Sequence, residues 1–483
     1  MSAAQPGTST PVEKRPPGGA ADPFSWRFVT PLFVGSALNP VNSSLIATAL
    51  VPIAAAMHVP VGRTAVLVSA LYLASAIAQP TAGKLAEEFG PRRVFLAGIA
   101  TVGAGGLVGG FGQDLTTLIV ARVLIGVGTS AGYPSAMLLI RRRAEEAGLA
   151  APPGGVLGGL VIAGQVTVSL GLPIGGVLVD AWGWRTTFFI NVPVAALALA
   201  AAVIWIPKDP PLNGPRSPRE VATRIDAAGI AGFGATVTAL LVFLTALPHP
   251  NWIAVGLAVL FGCALLTWEL RASSPFLDVR LLATNLALTR TYLRFALVTL
   301  CIYTVLYGIT QWLEAGRALS PREAGLLLVP MTALSALITR PISQRNLVRG
   351  PLIVAALTCL AGSAGLLALT TSTGIGWIIA ITLVFGVALG TASSTNQTTL
   401  YTQVAAAQIG TASGLLRTFG YLGSIASSAI VAIAFHSRVS DHHLHGIALI
   451  MIIASALGLL IVLADRTVMS QARTHPEPRG PHA

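Results

Sequence analysis

Apolar segments long enough to cross a lipid bilayer follow one another along almost the whole chain. A transmembrane helix needs about 20 mostly apolar residues, and fourteen segments of the sequence meet this requirement. The predicted spans lie at residues 28–51, 64–83, 93–112, 115–140, 155–180, 186–206, 227–247, 251–269, 291–313, 324–342, 351–370, 375–400, 410–435 and 445–464. This pattern predicts an all-α membrane protein with fourteen transmembrane helices.

Two longer polar connections divide the spans into groups. They lie at 207–224 and 271–290, on either side of spans 7 and 8. Only Pro248-His249-Pro250 separates these two spans, which favours a tight break between antiparallel helices. The predicted units are a six-helix bundle, a linker with two extra transmembrane helices, a second six-helix bundle and two disordered cytosolic tails, at 28–206, 207–290, 291–465, 1–27 and 466–483.

The basic residues alternate between connections, and this alternation predicts the orientation in the membrane. Cytosolic loops of membrane proteins are enriched in Lys and Arg. With the N-terminus in the cytosol, the outer connections hold only Arg63, Arg185, Arg317, Arg322 and Arg438. The cytosolic connections hold several-fold more, namely Lys84, Arg92, Arg93, Arg141, Arg142, Arg143, Lys208, Arg216, Arg219, Arg224, Arg271, Arg280, Arg290, Arg340, Arg345, Arg349 and Arg466. We expect a multi-pass protein of the plasma (inner) membrane with both termini in the cytosol.

The composition agrees with this class and argues against several others. Hydrophobic residues make up 54% and charged residues 10% of the chain, whereas soluble domains carry about 25% charged residues. The net charge is +12, but the basic residues lie in short gaps between apolar runs, so we expect no nucleic-acid partner. The cysteines Cys263, Cys301 and Cys359 lack metal-ligand spacing, and no Gly-x-x-x-x-Gly-Lys-Ser/Thr loop for ATP occurs. We expect no cofactor and no bound metal.

The connection after span 2 carries a recognisable charged motif, GKLAEEFGPRR at 83–93. An acidic residue near basic residues can form a cytosolic ion-pair latch that breaks and re-forms between conformations. The motif resembles the signature loop of the major facilitator superfamily of transporters. That family usually has Asp where Glu87 stands and a basic residue where Glu88 stands, so the second change reverses a charge and is expected to weaken or rewire the latch. The resemblance implies conformational roles for Gly83, Glu87, Gly90, Arg92 and Arg93.

Span 4 carries a second pattern of this family. Arg122 shares a helix face with Gly126, Thr129 and Tyr133, and the family links the arginine of its Arg-x-x-x-Gly pattern to proton coupling. An arginine at membrane depth needs a partner. Arg122 could therefore serve in coupling, or it could be a structural tie to backbone carbonyl groups.

Span 5 carries a third pattern, GLPIGG at 171–176. It resembles the antiporter motif of the family's exporters, with the proline one place later than usual. A glycine stripe permits close helix contact and a proline bends the helix, although ordinary helix packing would use the same stripe. The residues concerned are Gly171, Pro173, Gly175 and Gly176.

Four more stretches narrow the resemblance to one branch of the family. They are WGWRTTFFINVP at 182–193, DAAG at 226–229, PFLDVRLL at 275–282 and SPREAGL at 320–326. Together and in this order they resemble the fourteen-span drug:proton antiporters. That resemblance implies a major facilitator fold with two six-helix bundles around a central cavity, and a two-helix insert at the side. The substrate would bind near the midplane between the bundles.

Span 1 lacks the acidic residue that members of this branch usually carry. It reads LNPVNSS at 38–44, and the only candidate for a replacement carboxylate inside a span is Glu314. Spacing of 3.6 residues per turn places Glu314 on the face of span 9 that holds Tyr303, Tyr307 and Gln311. A desolvated carboxylate can carry a coupling proton, so we expect a coupling role for Glu314 together with Arg122. The alternative is a solvated Glu314 at the outer end of the span.

Polar residues inside the spans mark the expected substrate path. Each of them could instead form a hydrogen bond between helices. Arg122 and Arg417 together would suit an anionic or amphipathic substrate. The candidates for the cavity are Asn39, Asn42, Arg122, Gln165, Tyr303, Tyr307, Gln311, Asn396, Gln397 and Arg417.

The sequence therefore predicts a monomeric secondary transporter in the lipid bilayer. We expect it to export small amphipathic molecules by alternating access, coupled to protons. A lipid-moving or uncoupled facilitator is the alternative, because of the missing acid in span 1. A membrane enzyme would need a catalytic cluster at membrane depth, whereas all eight histidines lie in loops, tails or span ends.

Overall fold

The computed structural model describes residues 23–149, 153–211, 217–246, 251–273, 275–344, 348–404 and 409–465. All regular secondary structure within these ranges is helical. Twelve helices are long and apolar enough to cross a membrane, and the number rises to 13 when the bent pair Arg219–Ile225 and Ala227–Phe243 is counted as one span. The all-α membrane architecture expected from the sequence is confirmed.

Fourteen long helices follow one another along the chain. They are α1 (Trp26–Ala56), α2 (Val61–Phe89), α3 (Pro91–Phe111), α4 (Leu115–Glu146), α5 (Gly154–Trp182), α6 (Thr186–Trp205), α7 (Ala227–Thr245), α8 (Trp252–Glu269), α9 (Leu286–Gly316), α10 (Pro321–Leu327 continued by Val329–Gln344), α11 (Arg349–Leu366), α12 (Ile375–Gln403), α13 (Ile409–Ala434) and α14 (Asp441–Ala464). Two short helices, Pro218–Ile225 and Val279–Thr284, precede α7 and α9.

Each predicted span overlaps one of these helices, but several ends differ. Helix α9 begins five residues before the predicted span 291–313, and α4 continues six residues beyond the predicted span 115–140. Both extensions contain polar and basic residues, which end an apolar run without ending a helix. The apolar part of α5 that lies in the described residues, Val166–Trp182, is shorter than the other spans. The Pro-His-Pro break at 248–250 and both predicted tails before residue 23 and after residue 465 lie outside the described residues.

The helices pack as two groups that meet along one seam. In the first half (α1–α6), α1 packs on α5, α2 on α4, and α3 on α4 and α6. In the second half (α9–α14), α9 packs on α13, α12 on α10 and α11, and α14 on α11. The two halves meet where α2 packs on α13 and α5 packs on α10, and we call these two contacts the seam. Helices α7 and α8 pack on each other, and α7 also contacts α2 and α13. The unit boundaries proposed from the sequence stay a prediction.

The connections gather at two ends of the bundle. At the end where α1 begins, the backbone N–H of Arg93 donates to Asp209 Oδ2 at 2.9 Å, which joins the connections before α3 and after α6. At the other end, the N–H of Thr371 donates to Asp441 Oδ2 at 2.9 Å, which joins the connections before α12 and before α14. We call the first the basic end, because the arginine-rich connections lie there, and the second the opposite end.

The pair α7–α8 is held at the basic end by a buried carboxylate. Asp226 has a φ of +58°, a left-handed conformation that Asp and Asn adopt more readily than most residues. Its Oδ1 accepts hydrogen bonds from the Trp268 indole at 2.7 Å and from the Gly229 N–H at 3.1 Å, and its Oδ2 accepts from the Phe276 N–H at 2.7 Å. The motifs at 226–229 and 275–282 are therefore two parts of one connection.

Replacing Asp226 with Ala is expected to destabilise the protein, because three buried donors lose their acceptor. The expected loss is about 2–4 kcal/mol of unfolding free energy. Asp226→Asn should lose less, since an amide keeps one acceptor oxygen and the left-handed backbone. Thermal unfolding in detergent measures both. The matched control is Asp180→Ala, which changes an exposed aspartate; equal melting temperatures for Asp226→Ala and Asp180→Ala would contradict this assignment.

Candidate functional site

Direct contacts join the two halves from the opposite end to the middle of the bundle. At the opposite end the Gly62 N–H donates to the Phe435 carbonyl at 3.2 Å. Deeper in the seam the hydroxyls of Ser69 and Ser428 are hydrogen-bonded. The site between the halves is therefore closed toward the opposite end in this structure.

Four tyrosines form a cluster at the centre of the seam. The rings of Tyr72 and Tyr303 lie 5.3 Å apart, those of Tyr303 and Tyr307 5.8 Å, and those of Tyr72 and Tyr421 5.7 Å. The Tyr307 hydroxyl donates to the Ser43 carbonyl at 2.9 Å and lies 2.9 Å from the Tyr72 hydroxyl. Tyr303 and Tyr307 come from the second half and Tyr72 from the first, so the cluster spans the seam. The sequence identified Tyr303 and Tyr307, whereas Tyr72 and Tyr421 gave no signal within their apolar runs.

Arg122 is buried in α4 and bonds to the backbone of two neighbouring helices. Its Nε donates to the Leu67 carbonyl of α2 at 3.1 Å, and its Nη1 donates to the Asn42 carbonyl of α1 at 3.2 Å. Its Nη2 has no hydrogen-bond partner among the described residues. This geometry matches the interpretation of Arg122 as a structural tie to backbone carbonyl groups. The Nη2 donor remains available for a role in coupling.

The two asparagines of α1 also join helices within the first half. Asn39 donates to the hydroxyls of Ser75 in α2 and Thr129 in α4, both at 3.0 Å. Asn42 donates to the side-chain carbonyl of Asn191 in α6 at 2.6 Å. The amides of Asn39 and Asn42 are therefore engaged in hydrogen bonds that join α1 to its neighbours in the first half.

Helix α9 contains two π-helical segments, Val305–Ile309 and Trp312–Gly316. Such segments are rare and occur frequently at functional sites. They widen the helical turn, so α9 does not have 3.6 residues per turn over this part. The prediction that four side chains share one face assumed that spacing, and it therefore needs correction for Tyr303, Tyr307, Gln311 and Glu314. The first segment contains Tyr307 and the second contains Glu314.

Glu314 and Gln311 are buried polar residues without hydrogen-bond partners. Gln311 is 0% and Glu314 6% exposed, and among the described residues neither the two Gln311 side-chain atoms nor the two Glu314 oxygens have a partner. The neighbouring Trp312 indole donates to Asp441 at 2.9 Å, which fixes the end of α9 against α14. Glu314 is therefore enclosed by protein. The alternative expectation, a Glu314 side chain in contact with solvent at the outer end of the span, is wrong for this structure.

The remaining cavity candidates lie in α12, α13 and α5. Asn396 accepts from Arg294 Nε at 3.1 Å, and Gln397 donates to Ser413 at 3.1 Å. The guanidinium carbon of Arg417 lies 3.8 Å from the ring centre of Tyr133 in α4. The side chain of Gln165 lies outside the described residues.

Arg294 is a third deep arginine, which the sequence did not predict. It lies at the third turn of α9, is 1% exposed, and its Nη1 lies 3.7 Å from Asp465 Oδ2. Arg290 reaches the other oxygen of Asp465 at 3.8 Å. Arg290 lies before the predicted span 291–313 and Arg294 lies inside it, but no local pattern in the sequence pairs either arginine with Asp465, the last described residue of the chain.

The signature loop at 83–93 is held by an acid from a distant part of the chain. Asp209 accepts from the backbone N–H groups of Arg92 at 3.3 Å and Arg93 at 2.9 Å, which are donors at the start of α3. Arg142 of α4 pairs with the same carboxylate at 3.3 Å. Gly90 has a φ of +99°, a left-handed conformation that residues with a side chain rarely adopt, and a Cβ there would lie 2.5 Å from the Asp209 carboxyl carbon. The backbone conformation and the close approach of Asp209 therefore both require glycine at this position. The connection after α6 therefore supplies the acid of this latch.

The two glutamates of the loop have different surroundings from those expected. Glu87 is exposed and interacts electrostatically with Lys84. In this structure the acid that engages Arg92 and Arg93 is Asp209 instead. Glu88 pairs with Arg224 at 2.8 Å, and Arg224 belongs to the short helix before α7. The charge reversal at 88 thus comes with a complementary arginine, which is the rewiring considered above. A Cβ at Gly83 would meet only Pro134, at an ordinary 3.7 Å.

The glycine stripe of α5 lies against both halves. A Cβ at Gly171 would lie 1.8 Å from the Ser44 hydroxyl of α1, one at Gly175 would lie 2.8 Å from the Leu45 carbonyl of α1, and one at Gly176 would lie 2.5 Å from the Pro321 carbonyl of α10. Pro173 lies inside the helix between these contacts. The close approach predicted for this motif therefore includes one contact across the seam.

Comparison with known proteins gives consistent matches over most of the chain. The model of the Major Facilitator Superfamily matches residues 32–428. The chain is 32% identical over 453 residues to the uncharacterized MFS-type transporter YwoD of Bacillus subtilis (strain 168), covering 92% of this chain and 98% of YwoD. It is 26% identical to the tetracenomycin C resistance and export protein of Streptomyces glaucescens, covering 90% and 81% of the two chains. Its fold matches the crystal structure of the nucleoside transporter NupG with a TM-score of 0.62 at 11% identity, over 91% of this chain and 99% of that one.

Removing the Asp209 carboxylate is expected to destabilise the basic end. Asp209→Ala leaves two helix N-terminal donors and Arg142 without their acceptor, which corresponds to about 1–3 kcal/mol. Glu145→Ala is the matched control, because it removes an exposed ion pair with Arg141 that should contribute less than about 1 kcal/mol. Thermal unfolding of the purified variants measures the difference. If the two variants melt together, Asp209 does not hold the loop.

Proposed function

Because the chain belongs to the Major Facilitator Superfamily, we propose that it is a secondary transporter that exports small amphipathic molecules by alternating access, coupled to protons. The Streptomyces glaucescens relative is named for resistance to and export of tetracenomycin C, which supports export. The resemblance of the motifs to the fourteen-span drug:proton antiporters supports it independently. Three features of the structure bear on the mechanism: the seam, the tyrosine cluster and Glu314.

We propose that the basic end faces the cytosol of a cell with the protein in its plasma membrane. The connections at this end carry most of the basic residues of the chain, as cytosolic loops do. Both termini would then lie in the cytosol. Since the halves are in contact at the opposite end, substrates in this conformation would enter from the basic end.

Alternating access requires the two halves to rock about the binding site. Opening the opposite end would break contacts between the halves, including Gly62 with Phe435 and Tyr307 with Ser43. The bonds of Arg122, Asn39 and Asn42 lie within the first half, so they can persist during rocking. Each half would then move as a unit while the seam rearranges.

The proposal of proton coupling rests on the burial of Glu314, whose two oxygens have no hydrogen-bond partner among the described residues. A carboxylate that is buried without hydrogen-bond partners is far less stable charged than neutral, and a bound proton removes this penalty. Glu314 lies in α9 near the opposite end, so opening that end would admit water and stabilise the charged form. The carboxylate would thus exchange its proton on the side to which substrate is released. Arg122, with its unpartnered Nη2, is a second candidate for a coupling role.

The substrate would bind between the halves at the depth of the tyrosine cluster and Arg417. Tyr303 and Tyr307 offer aromatic faces, and Gln311, Gln397 and Gln165 belong to helices that line the same region. Asn39, Asn42 and Asn396 are engaged by neighbouring helices, so their role would be to hold the walls of the site. We propose that the protein acts as a monomer.

An uncoupled or lipid-moving facilitator is the second candidate function. The absence of an acidic residue in α1 favours it. Asn39 and Asn42 lie in this helix, whereas the fourteen-span drug:proton antiporters that the sequence resembles usually have an acidic residue there. If Glu314 has no part in coupling, the other buried carboxylates of the described residues are Asp226, Glu269 and Asp465, which lie at the basic end. Transport would then equilibrate a substrate without responding to a proton gradient.

Transport into inverted membrane vesicles tests the proposal. We expect the wild-type protein to accumulate fluorescent amphiphiles when the vesicle lumen is acidic, and we expect an uncoupler to abolish the accumulation. Glu314→Gln keeps the size of the side chain but removes its titratable group, so it should abolish accumulation while downhill exchange continues. Asp180→Asn is the control for the loss of one exposed carboxylate.

Two results would contradict the coupling proposal. One is wild-type transport that equilibrates the substrate and ignores the gradient, which would favour the facilitator. The other is a Glu314→Gln protein that accumulates substrate at the wild-type rate, which would place the coupling group elsewhere.

A further inference from the structure

We propose that the substrates of this transporter carry a negative charge that Arg417 binds directly. This inference rests on the proposed export function and adds the charge of the substrate to it. It concerns organic anions with an aromatic or apolar body, in which the acidic group is a carboxylate, a sulfonate or a phosphate ester.

Arg417 lies at membrane depth in the seam between the halves. Helix α13 begins at Ile409, so Arg417 is eight residues, or about 12 Å, inside the helix. It is half-buried, and its guanidinium lies 3.8 Å from the ring centre of Tyr133 in the first half. Tyr421 lies one turn further along the same face of α13, next to Arg417. A cation therefore stands on the Tyr133 ring, where a molecule between the halves would meet it.

The other deep arginines are already engaged. Arg122 donates to two backbone carbonyls, and Arg294 faces Asp465 and Asn396. Among the described residues, Arg417 has neither an ion pair with a carboxylate nor a hydrogen bond to a backbone carbonyl. A cation at this depth is costly unless it finds a partner, and an anionic substrate supplies one.

The surroundings of Arg417 disfavour a cationic substrate. The span-1 position that could offer a carboxylate is occupied by Asn39 and Asn42, and both amides are bonded to neighbouring helices. Glu314 belongs to the last turn of α9, on the closed side of the seam. A cationic substrate would therefore meet the positive charge of Arg417 with no compensating carboxylate at the same depth in the part of the chain that the structure describes, which selects against it.

The guanidinium also fits an anion geometrically. Its planar donors can form two parallel hydrogen bonds with a carboxylate or phosphate, while its face remains stacked on Tyr133. The tyrosine cluster beside it offers ring faces and edges to the apolar body of the same molecule. The site would thus recognise the charge and the aromatic body at two adjoining places.

A matched panel of fluorescent amphiphiles tests this inference. The panel contains one aromatic body with a carboxylate, with a neutral amide or with an ammonium group, and a labelled anionic phospholipid separates a small solute from a lipid headgroup. We expect wild-type vesicles to export the carboxylate in preference to the ammonium compound. Arg417→Gln should lower transport of the carboxylate about tenfold or more and leave the amide nearly unchanged. Arg417→Lys keeps the charge, so it should keep the anion preference at a reduced rate.

The control is Arg438→Gln, which removes an exposed arginine at the opposite end and should not change the preference. Thermal unfolding of each variant establishes that it is folded, and the ratio of anion to amide transport is independent of the amount of protein. A wild-type preference for the ammonium compound, or an equal loss of anion and amide in Arg417→Gln, would overturn the inference and leave the proposed export standing. If the phospholipid alone moves, Arg417 binds a lipid headgroup and the small-solute form is wrong. If the wild-type protein moves no member of the panel, the export proposal fails and the inference fails with it.

Discussion

Polar groups inside a bilayer have no water to bond with, so each one must find a partner within the protein. This constraint organises the structure. Arg122 bonds to the backbone of α1 and α2, Asn42 bonds to Asn191, and Arg294 faces Asp465. These bonds fix the helices within each half. Among the described residues, Glu314 and Gln311 stand out because neither polar atom of either side chain has a hydrogen-bond partner. Glu314 lies in the second π-helical segment of α9, and Gln311 directly precedes that segment.

The contacts divide into those that hold a half together and those that join the halves. Most polar bonds at the basic end belong to the first kind, including the capping of α3 by Asp209. The seam contacts belong to the second kind, and many of them are aromatic or involve hydroxyl groups. Replacing such a contact with a contact to substrate or water requires less free energy than breaking a buried ion pair does. These contacts support the proposal that each half moves as a unit while the seam rearranges, as alternating access requires.

The sequence predicted the helices, the two deep arginines Arg122 and Arg417, and the tyrosines Tyr303 and Tyr307, because apolar runs and polar residues within them are local signals. It did not predict that Asp209 holds the loop at 83–93, since these residues lie more than a hundred positions apart and no local pattern pairs them. The π-helical segments of α9 also leave no trace in hydrophobic periodicity. They alter the face on which Glu314 lies, so its enclosure required the structure.

The central claim is that the two halves rock about a site in the seam, and distances between spin labels test it most directly. One pair would replace Arg63 and Arg438 at the opposite end, and another would replace Arg141 and Arg349 at the basic end, in a chain with Cys263, Cys301 and Cys359 changed to serine. Measurements in lipid nanodiscs at acidic and alkaline pH, with and without a transported compound, should show the two distances changing in opposite directions. Two distances that stay constant, or that lengthen together, would contradict alternating access by rocking.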